Sequence, residues 1–249
     1  MIDLSGKTIL VTGGTKGIGQ AIALKAAAHG ADVLIAYVSD REASDRTLSE
    51  LRNTGRNAAA FQADLSSEEG VMALFEEIRN HASSIDALVN SAGVFATAPL
   101  EKVSSASFSR HFSVNVFGLT YAIREALPLF PKSGASIVNI GSSVSSFTPA
   151  GSVEYNASKG AVDAITRTLA NELGPRGVRV NSINPGLTET PGMRQSEFSS
   201  ESFKSEIKER TPLRRIGVPD DISGAACFLI SEDSSWLTGE TLIVGGGLH

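Results

Sequence analysis

The run Thr12-Gly13-Gly14-Thr15-Lys16-Gly17-Ile18-Gly19 decides the fold, because it joins a β-branched apolar stretch directly to an amphipathic one. Glycines are required where the backbone takes positive φ or must approach a ligand closely. A glycine-rich turn at a helix N-terminus presents unpaired N–H groups and the positive end of the helix dipole to a phosphate. We therefore interpret the Gly-x-x-x-Gly-x-Gly spacing as a nucleotide-binding turn, the alternative being a tight strand-to-helix turn without a ligand.

Short β-branched runs alternate with longer amphipathic runs on both sides of this turn. The predicted strands cover residues 8–12, 32–37, 57–62, 87–90, 136–140, 179–184 and 241–244. The predicted helices lie near residues 18–29, 41–54, 68–81, 105–129, 154–173 and 219–230. Such alternation is typical of βαβ units, and nearly continuous apolar strands indicate a sheet that is covered on both faces. We predict a single α/β domain over residues 1–249, with a doubly wound sheet of about seven parallel strands and helices on both faces.

The segment 187–215 stands apart from this alternation. It begins with turn formers around Thr188-Glu189-Thr190-Pro191-Gly192 and continues with a polar Ser/Glu/Lys run that predicts a helix. A long polar insertion after a late strand is expected to cover a site at the carboxyl ends of the strands. We predict a lid over a substrate site, and a solvated connector is the alternative.

Tyr155 and Lys159 give the clearest chemical signal in the chain. A spacing of four places both side chains on one face of a helix. A tyrosine ordinarily has a pKa near ~10, and a neighbouring ammonium favours the phenolate. We therefore expect Lys159 to lower the pKa of Tyr155 toward neutral pH. The other tyrosines, Tyr37 and Tyr121, have no lysine at the fourth following position.

The composition excludes several classes of protein. The 249 residues are 41% hydrophobic and 20% charged, which is ordinary for a globular domain. A net charge of −5 without a concentrated Lys/Arg run argues against a nucleic-acid partner. No apolar run is long enough to span a membrane and no signal-type segment is seen, so we expect a cytoplasmic protein without a membrane partner. The histidines lack metal-ligand spacing, and no metal site is predicted; Cys227, the single cysteine, is expected to be a core thiol.

Taken together, these motifs make the chain resemble a classical short-chain dehydrogenase/reductase from about residue 5 to its C-terminus. The run 12–19 matches the cofactor motif of that family, and Asn90-Ser91-Ala92-Gly93 matches its Asn-Asn-Ala-Gly run, with Ser91 as a departure. Asn115 matches the catalytic asparagine of the family. Ser142 lies 13 residues before Tyr155, which is the usual interval of the family.

The resemblance implies an NAD(P)-binding Rossmann-type fold and hydride transfer at a Ser-Tyr-Lys-Asn site. It implies that Ser142 bonds the substrate oxygen and that Tyr155 donates or accepts the proton of that oxygen. It also implies that Lys159 bonds the nicotinamide ribose and that Asn115 holds a water in a proton relay to Lys159. Taken one at a time, these residues also admit structural roles, for example a buried amide at Asn115 or a surface aromatic at Tyr155.

The resemblance assigns further positions to the cofactor and, more loosely, to the substrate. The expected cofactor-binding residues are Gly13, Thr15, Lys16, Gly17, Ile18, Gly19, Tyr37, Ser39, Asp64, Leu65, Asn90, Ala92, Gly93, Tyr155, Lys159, Pro185, Gly186, Thr188 and Thr190. The expected substrate-pocket residues are Val94, Ser143, Phe147, Glu154 and Met193. Phe198 is a further candidate for an apolar pocket with Phe147 and Met193, and core and lid packing is the alternative for these three. A solvent-exposed acid at a helix start is the alternative for Glu154.

The end of the second predicted strand bears on the choice of nicotinamide. An acid there would bond the ribose hydroxyls and repel a 2′-phosphate. Tyr37 occupies that position, while Lys16, with Ser39 or Arg41, is placed to bind a 2′-phosphate, so NADP(H) is predicted. Asp40 acts in the opposite sense if the loop turns its carboxylate inward.

The predicted function is carbonyl reduction or its reverse on a small-molecule substrate. The run 210–217 resembles that of 3-oxoacyl-(acyl-carrier-protein) reductases, which makes a 3-oxoacyl thioester, carrier-linked or free, one candidate. Sugars, polyols, steroids and xenobiotic ketones are the alternatives, because the fold does not choose among them. A non-catalytic nicotinamide-binding regulator is an alternative of another class, and the glycine spacing fits a sugar-nucleotide epimerase poorly. The resemblance also implies a homotetramer, with interfaces on the helices at 105–129 and 154–173.

Overall fold

The computed structural model describes residues 2–194 and 197–248. The strands in this part of the chain are β1 (Thr8–Thr12), β2 (Asp32–Tyr37), β3 (Ala58–Gln62), β4 (Ala87–Asn90), β5 (Ala135–Ile140), β6 (Val178–Pro185) and β7 (Thr241–Val244). The helices are α1 (Gly17–Ala28), α2 (Arg41–Arg52), α3 (Glu68–His81), α4 (Ser105–Phe112), α5 (Leu119–Ala126), α6 (Val153–Leu173), α7 (Pro191–Arg194), α8 (Glu201–Arg210) and α9 (Pro219–Ile230). In the described ranges, no helix is both long and apolar enough to cross a bilayer.

The strands form one parallel sheet in the order β3-β2-β1-β4-β5-β6-β7. The chain progresses in one direction from β1 to β3 and in the other from β4 to β7, so the order reverses between β1 and β4. Ligands of such sheets bind at the carboxyl ends of the strands beside this switch point. The predicted doubly wound, seven-stranded sheet is confirmed.

Each face of the sheet buries its own apolar core, as the period of two along a strand requires. Ile9 and Val11 of β1 pack with Ile22 of α1 and Ile222 of α9 on one face. Leu10 packs on the other face, with apolar residues of α3, α5 and α6. Cys227 of α9 is fully buried and burial raises the pKa of its thiol to about 12, which agrees with the predicted core thiol.

The predicted helix at 105–129 is interrupted in the structure. A π-helical segment, Ser113–Gly118, separates α4 from α5, and a 3-10 turn, Leu127–Leu129, follows α5. The end of the π segment lies against the backbone after β3, where a Cβ on Gly118 would be 2.2 Å from the Leu65 carbonyl oxygen. A π turn carries one extra residue, and here it turns Asn115 inward, where the residue is 1% exposed.

Replacing Gly118 by Ala tests this close approach. Alanine normally stabilises a helix relative to glycine, by about 0.5–1 kcal/mol, and Gly224→Ala in α9, where a Cβ meets nothing within 4 Å, should show that gain. Gly118→Ala should instead lower the free energy of unfolding by about 1–3 kcal/mol, because backbone must move. Urea unfolding followed by circular dichroism measures both variants, and a gain at Gly118 equal to that at Gly224 would contradict the close contact.

Candidate active site

The glycine turn leaves the N-terminus of α1 open to a ligand. Gly13 and Gly17 take positive φ, 65° and 55°, and a Cβ on Gly13 would lie 2.9 Å from the backbone of Ala92. Lys16 precedes α1 in extended conformation and makes no side-chain cap, and the first turn of α1 contains no acid. Unpaired N–H groups therefore point out of a narrow cradle, which suits a pyrophosphate.

The strand beside the turn supplies a second wall of the cradle. The Thr12 hydroxyl accepts hydrogen bonds from the N–H groups of Ser91 (3.1 Å) and Ala92 (3.2 Å), so it positions the 90–93 run. Asn90 donates to Asn139 Oδ1 at 3.0 Å, but its own Oδ1 is buried and has no hydrogen-bond partner among the described residues. A buried, unsatisfied acceptor at this edge fits a site that is completed by a ligand.

Ser142, Tyr155 and Lys159 converge at the carboxyl end of β5. Ser142 lies two residues beyond this strand, and its side chain is near enough to the Tyr155 hydroxyl to lower the pKa of the phenol. Tyr155 and Lys159 both lie in α6, with the Lys159 Nζ 5.8 Å from the centre of the Tyr155 ring. The Lys159 ammonium donates to the Ile140 carbonyl at 2.8 Å and is 6% exposed. The predicted trio is thus brought together.

The electrostatics of this trio differ from the expectation. Burial raises the pKa of the Tyr155 phenol, and the hydrogen bond with Ser142 opposes that rise. Burial lowers the pKa of Lys159 to about 8, and the carboxylate of Asp163 opposes that fall. The expected net fall of the Tyr155 pKa toward neutral pH is therefore wrong, because burial of the phenol is the largest effect and raises that pKa. Tyr155 is consequently a protonated phenol at neutral pH.

The Asn115 side chain hydrogen-bonds the backbone of the segment that follows β4. Its amide donates to the Val94 carbonyl (2.9 Å) and accepts from the Val94 N–H (2.8 Å). It also donates to Ser158 Oγ at 3.0 Å, and Ser158 donates in turn to the Tyr155 carbonyl. The predicted alternative of a buried amide bonded to backbone is therefore found. A water relay from Asn115 to Lys159 stays a prediction.

Gly93 marks the point at which these groups meet. A Cβ there would lie 3.3 Å from Asn115 Oδ1 and 3.7 Å from Lys159 Nζ. Both polar groups therefore face the same small space beside the 90–93 run.

Aromatic rings surround Tyr155; Phe198 among them is expected from the sequence as a pocket residue, whereas Phe95 and Phe203 are not identified there. Phe95 meets the Tyr155 ring edge-on at 5.8 Å and stacks on Phe198 at 5.8 Å with an interplanar angle of 16°. Phe203 packs on Phe198 at 4.7 Å. Phe198 and Phe203 lie more than a hundred residues from Phe95, so no local pattern links them.

His111 is a second residue that the sequence analysis missed. Its ring lies 6.3 Å from that of Tyr155, its Nε2 accepts from the Ala96 N–H at 3.1 Å, and its Nδ1 lies 2.9 Å from the Ser107 carbonyl. These partners are consistent with a proton on Nδ1. His111 lies four positions before Asn115, and this helical spacing is the sequence feature that could have placed it near the site.

The 187–215 segment contacts the site at two further points. Thr190 lies against the glycine turn, with its Cγ2 3.2 Å from the position of a Cβ on Gly17. The Arg210 guanidinium lies over the Phe147 ring at 4.9 Å from its centre. Met193 of α7 is buried, and its N–H donates to Thr190 Oγ1 at 3.2 Å.

Glu154 corrects one expectation. It is 2% exposed and accepts a 2.6 Å hydrogen bond from Ser107 Oγ, at the N-terminal turn of α4. A solvent-exposed acid is therefore wrong, because α4 packs across this part of α6. The carboxylate ties α4 to α6, and its assignment to the substrate pocket stays a prediction.

The loops after β2 and β3 carry the residues that the sequence analysis predicts for the adenosine end of the cofactor. Asp40 accepts from the Ala43 N–H at 2.9 Å, capping α2, and forms an ion pair with Lys16. This ion pair is the main cause that lowers the pKa of the Asp40 carboxyl. Asp40 is thus turned inward, in the sense that opposes a 2′-phosphate. Asp64, after β3, is exposed and accepts from the Ser66 N–H.

The remaining predicted residues lie along the same edge of the sheet. Gly186 donates its N–H to the Val244 carbonyl at 3.0 Å, and Thr188 Oγ1 donates to the Gly186 carbonyl at 2.9 Å. The residues placed there with buried or partly buried side chains are Thr15, Ile18, Tyr37, Leu65, Val94, Ser143 and Pro185, while Ser39 is exposed. In the described ranges, no cluster of three or more His, Cys, Asp or Glu side chains is suited to a metal ion.

Comparisons with known proteins place this arrangement in a family. A family model described as Enoyl-(Acyl carrier protein) reductase matches residues 13–249. The chain is 37% identical to 3beta-hydroxysteroid dehydrogenase 1 of Eggerthella lenta, over 99% of the chain and 95% of the relative. It is 36% identical to the 3-oxoacyl-[acyl-carrier-protein] reductase of Aquifex aeolicus, over 99% of each. A crystal structure of a blue fluorescent protein from a metagenomic library, in complex with NADPH, superposes with a TM-score of 0.92 and 35% identity, over 99% of each chain.

Replacing Lys159 by Met should change how stability depends on pH. The unfolded chain keeps the lysine proton to a pH of about 10.5, whereas the folded protein loses it near pH 8, so the unfolded state binds more protons between these values. The free energy of unfolding of the wild type, relative to that of Lys159→Met, should rise by about 3 kcal/mol over this interval. Urea unfolding from pH 7 to 10.5 measures the difference.

The titration of Cys227 changes stability over part of the same pH range, but it does not affect this comparison. Its raised pKa lowers stability above pH 9, but equally in both proteins, so the difference isolates Lys159. A difference that does not vary with pH would show that Lys159 is not a buried ammonium of lowered pKa.

Proposed function

The chain belongs to the short-chain dehydrogenase/reductase family and is an NAD(P)-dependent oxidoreductase acting on CH–OH and C=O groups; on this basis we propose that it reduces the carbonyl of an apolar, ring-bearing ketone with NADPH. The observation that carries the proposal is the meeting of Ser142, Tyr155 and Lys159 beside the glycine turn. Each of these groups has a task only if a carbonyl or alcohol oxygen binds between Ser142 and Tyr155.

The bound nicotinamide supplies the hydride, and the residues of this chain supply the proton and the binding groups. The glycine turn and the N-terminus of α1 would hold the pyrophosphate, and Pro185-Gly186 with Thr188 would lie at the nicotinamide end. The Ser142 hydroxyl bonds the substrate oxygen. Tyr155 donates its phenolic proton to that oxygen, and Lys159 stabilises the phenolate that remains.

The protonation state of Tyr155 favours the reductive direction. Its pKa is raised, so at neutral pH it carries the proton that a carbonyl oxygen must receive. Oxidation of an alcohol requires the phenolate, which this environment disfavours before a cofactor binds. The proposal is therefore a reductase, with oxidation favoured as pH rises.

The rings next to Tyr155 support an apolar substrate. Phe95 contacts Tyr155 and Phe198 at the same time, so a substrate that reaches the phenol passes along these rings. Aromatic walls bind flat, apolar groups by stacking, whereas sugars need a set of hydrogen-bonding groups. The 187–215 segment, which carries Phe198 and Phe203, acts in this proposal as a lid that opens to admit the ring.

Reduction of a 3-oxoacyl thioester is the second candidate, and the similarity to the Aquifex aeolicus reductase is what favours it. The pair Arg214-Arg215 in the 210–217 run could meet an acidic carrier, but its side chains and that of Arg210 already have partners in this chain, and Arg214 donates to the Glu209 carbonyl. Arg215 makes a bidentate pair with Asp221, both distances 2.6 Å, and Arg210 lies on Phe147. For this reason we rank the thioester below the ring-bearing ketone.

NADP(H) is the proposed cofactor because Lys16 is the basic residue that reaches the adenosine end and no acid ends β2. The lysine ammonium has three donors, so it can bond a 2′-phosphate while it keeps Asp40 as a neighbour. Asp40 then moderates the preference. It does not reverse it.

A homotetramer in the cytoplasm completes the proposal. Phe117 of the π segment is 48% exposed, Trp236, shortly before the outermost strand, is 98% exposed, and Leu242, in that strand, is 41% exposed. Apolar side chains of this size are expected to be covered by other copies of the chain.

Loss of reduced-nicotinamide absorbance, recorded with a panel of substrates, tests the reaction. The panel contains an aryl ketone, a fused-ring ketone, a short 3-oxoacyl thioester and an aldose. The ring-bearing ketones should be consumed fastest with NADPH, and Tyr155→Phe should lower kcat by at least ~100-fold while NADPH affinity stays within about twofold. Fast thioester consumption would select the second candidate. Cofactor binding without turnover of any substrate would favour a regulator, and an active Tyr155→Phe would exclude the mechanism.

Paired variants at the adenosine end test the cofactor preference through binding alone. Lys16→Ala should weaken NADPH about tenfold and leave NADH nearly unchanged, since only NADPH offers a 2′-phosphate. Asp40→Asn should strengthen NADPH about two- to fivefold, because the competing carboxylate is removed. Fluorescence titration of both cofactors gives the four affinities. Equal losses for NADPH and NADH in Lys16→Ala would show that Lys16 does not bind the 2′-phosphate.

A further inference from the structure

A buried carboxylate that the mechanism does not use lies one helical turn beyond Lys159. Asp163 is 9% exposed, and the spacing of four continues the Tyr155–Lys159 row along the same face of α6. Both of its oxygens accept from Asn184 Nδ2 of β6, at 3.1 and 3.2 Å. Among the residues that the structure describes, Asp163 has no ion pair within 4.0 Å.

A buried charge without an ion pair costs stability unless another charge balances it. Arg167, a further turn along α6, is solvent-exposed, and the partners from the other elements, Asn184, Ser182 and Ser145, are neutral. The cation that the Asp163 carboxylate acts on is the Lys159 ammonium, whose pKa it raises against the effect of burial.

The surroundings of Lys159 leave Asp163 as its balancing charge. The Ile140 carbonyl of β5 is neutral, and so is the Asn115 amide of the π segment. Of the titratable groups nearby, Tyr155 is protonated, His111 is bonded to backbone, and the Glu154 carboxylate points to Ser107 of α4.

Asn184 keeps the Asp163 carboxylate where it is. The Asn184 amide also lies 3.1 Å from Ser145 Oγ and accepts from Ser182 Oγ at 2.8 Å. It is 1% exposed, so its geometry is held on every side. The carboxylate is therefore preorganised on the Lys159 row.

We propose that Asp163 is a positioning residue for hydride transfer, whose fixed carboxylate keeps the buried Lys159 ammonium charged at the pH at which the enzyme works. The proposal rests on the proposed function for the task that Lys159 performs. The charge coupling itself is a property of the cofactor-free protein.

Nuclear magnetic resonance of the protein labelled with 13C at lysine Cε tests this coupling directly. In the wild type, one resonance should titrate near pH 8, well below the remaining lysines, and it should be missing in Lys159→Met. In Asp163→Asn, its midpoint should fall by about one pH unit, because the opposing charge is gone while the hydrogen bond to Asn184 can persist. Glu172→Gln makes the same charge change at an exposed position of α6 and should leave the midpoint unmoved.

This titration tests the role of Asp163 independently of the proposed reaction, because it requires no substrate. An unmoved midpoint in Asp163→Asn, or an equal shift in Glu172→Gln, would overturn the proposal whatever the substrate is. If Asp163→Asn does not fold, Asp163→Ser removes the charge with a smaller side chain, and the same fall in the midpoint of the Lys159 resonance is expected.

With a substrate from the panel, the kcat of Asp163→Asn should equal that of the wild type near pH 6 and be about tenfold lower near pH 9, with KM little changed. Asp163→Glu, which keeps the charge, should restore at least part of the alkaline activity. A uniform loss at all pH values would indicate a structural role and overturn the proposal.

Discussion

The site depends on one constraint, which is that a buried ammonium must be satisfied within the protein. Lys159 is 6% exposed, and its proton is held by the Ile140 carbonyl at the end of β5. That bond fixes α6 against the sheet, and α6 in turn carries Tyr155 to the serine that follows β5. If the lysine were replaced by a neutral side chain, α6 would lose its hydrogen bond to the end of β5 and the charge that the proposed mechanism places beside the phenolate.

The sheet and the meeting of Tyr155 with Lys159 were predictable because each rests on a short-range pattern. Continuous apolar runs bounded by turn formers located the strands, and β1, β2, β4 and β7 have the predicted ends. The spacing of four in Tyr155–Lys159 follows from helix geometry alone. The interval to Ser142 required the family resemblance, since no local rule relates the end of β5 to the start of α6.

The remainder of the site depends on contacts between distant segments. The π segment Ser113–Gly118 ends against the Leu65 backbone, some fifty residues away in sequence, and the periodicity of one helix carries no information about such a contact. Glu154 had the position of an exposed helix-start acid, yet α4 buries it through Ser107. The direction of the Tyr155 pKa was mistaken for the same reason: the effect of a neighbouring charge can be inferred from spacing, whereas desolvation depends on the whole fold.

The contrast between locally determined features and contacts between distant segments explains why relatives of similar identity are named for different substrates. The proposed hydride-transfer site is built from backbone turns and one helix face, so it is expected to persist wherever the sheet forms. The Phe95–Phe198 contact joins the loop after β4 to the 187–215 segment. Both rings lie outside the strands, so strand pairing does not fix the identity of either residue. A change at either ring alters what reaches Tyr155 without disturbing Ser142 or Lys159. Substrate preference can therefore change during evolution while the hydride-transfer chemistry is retained. Phe95 and Phe198 are the residues at which the substrate preference of this enzyme should be tested.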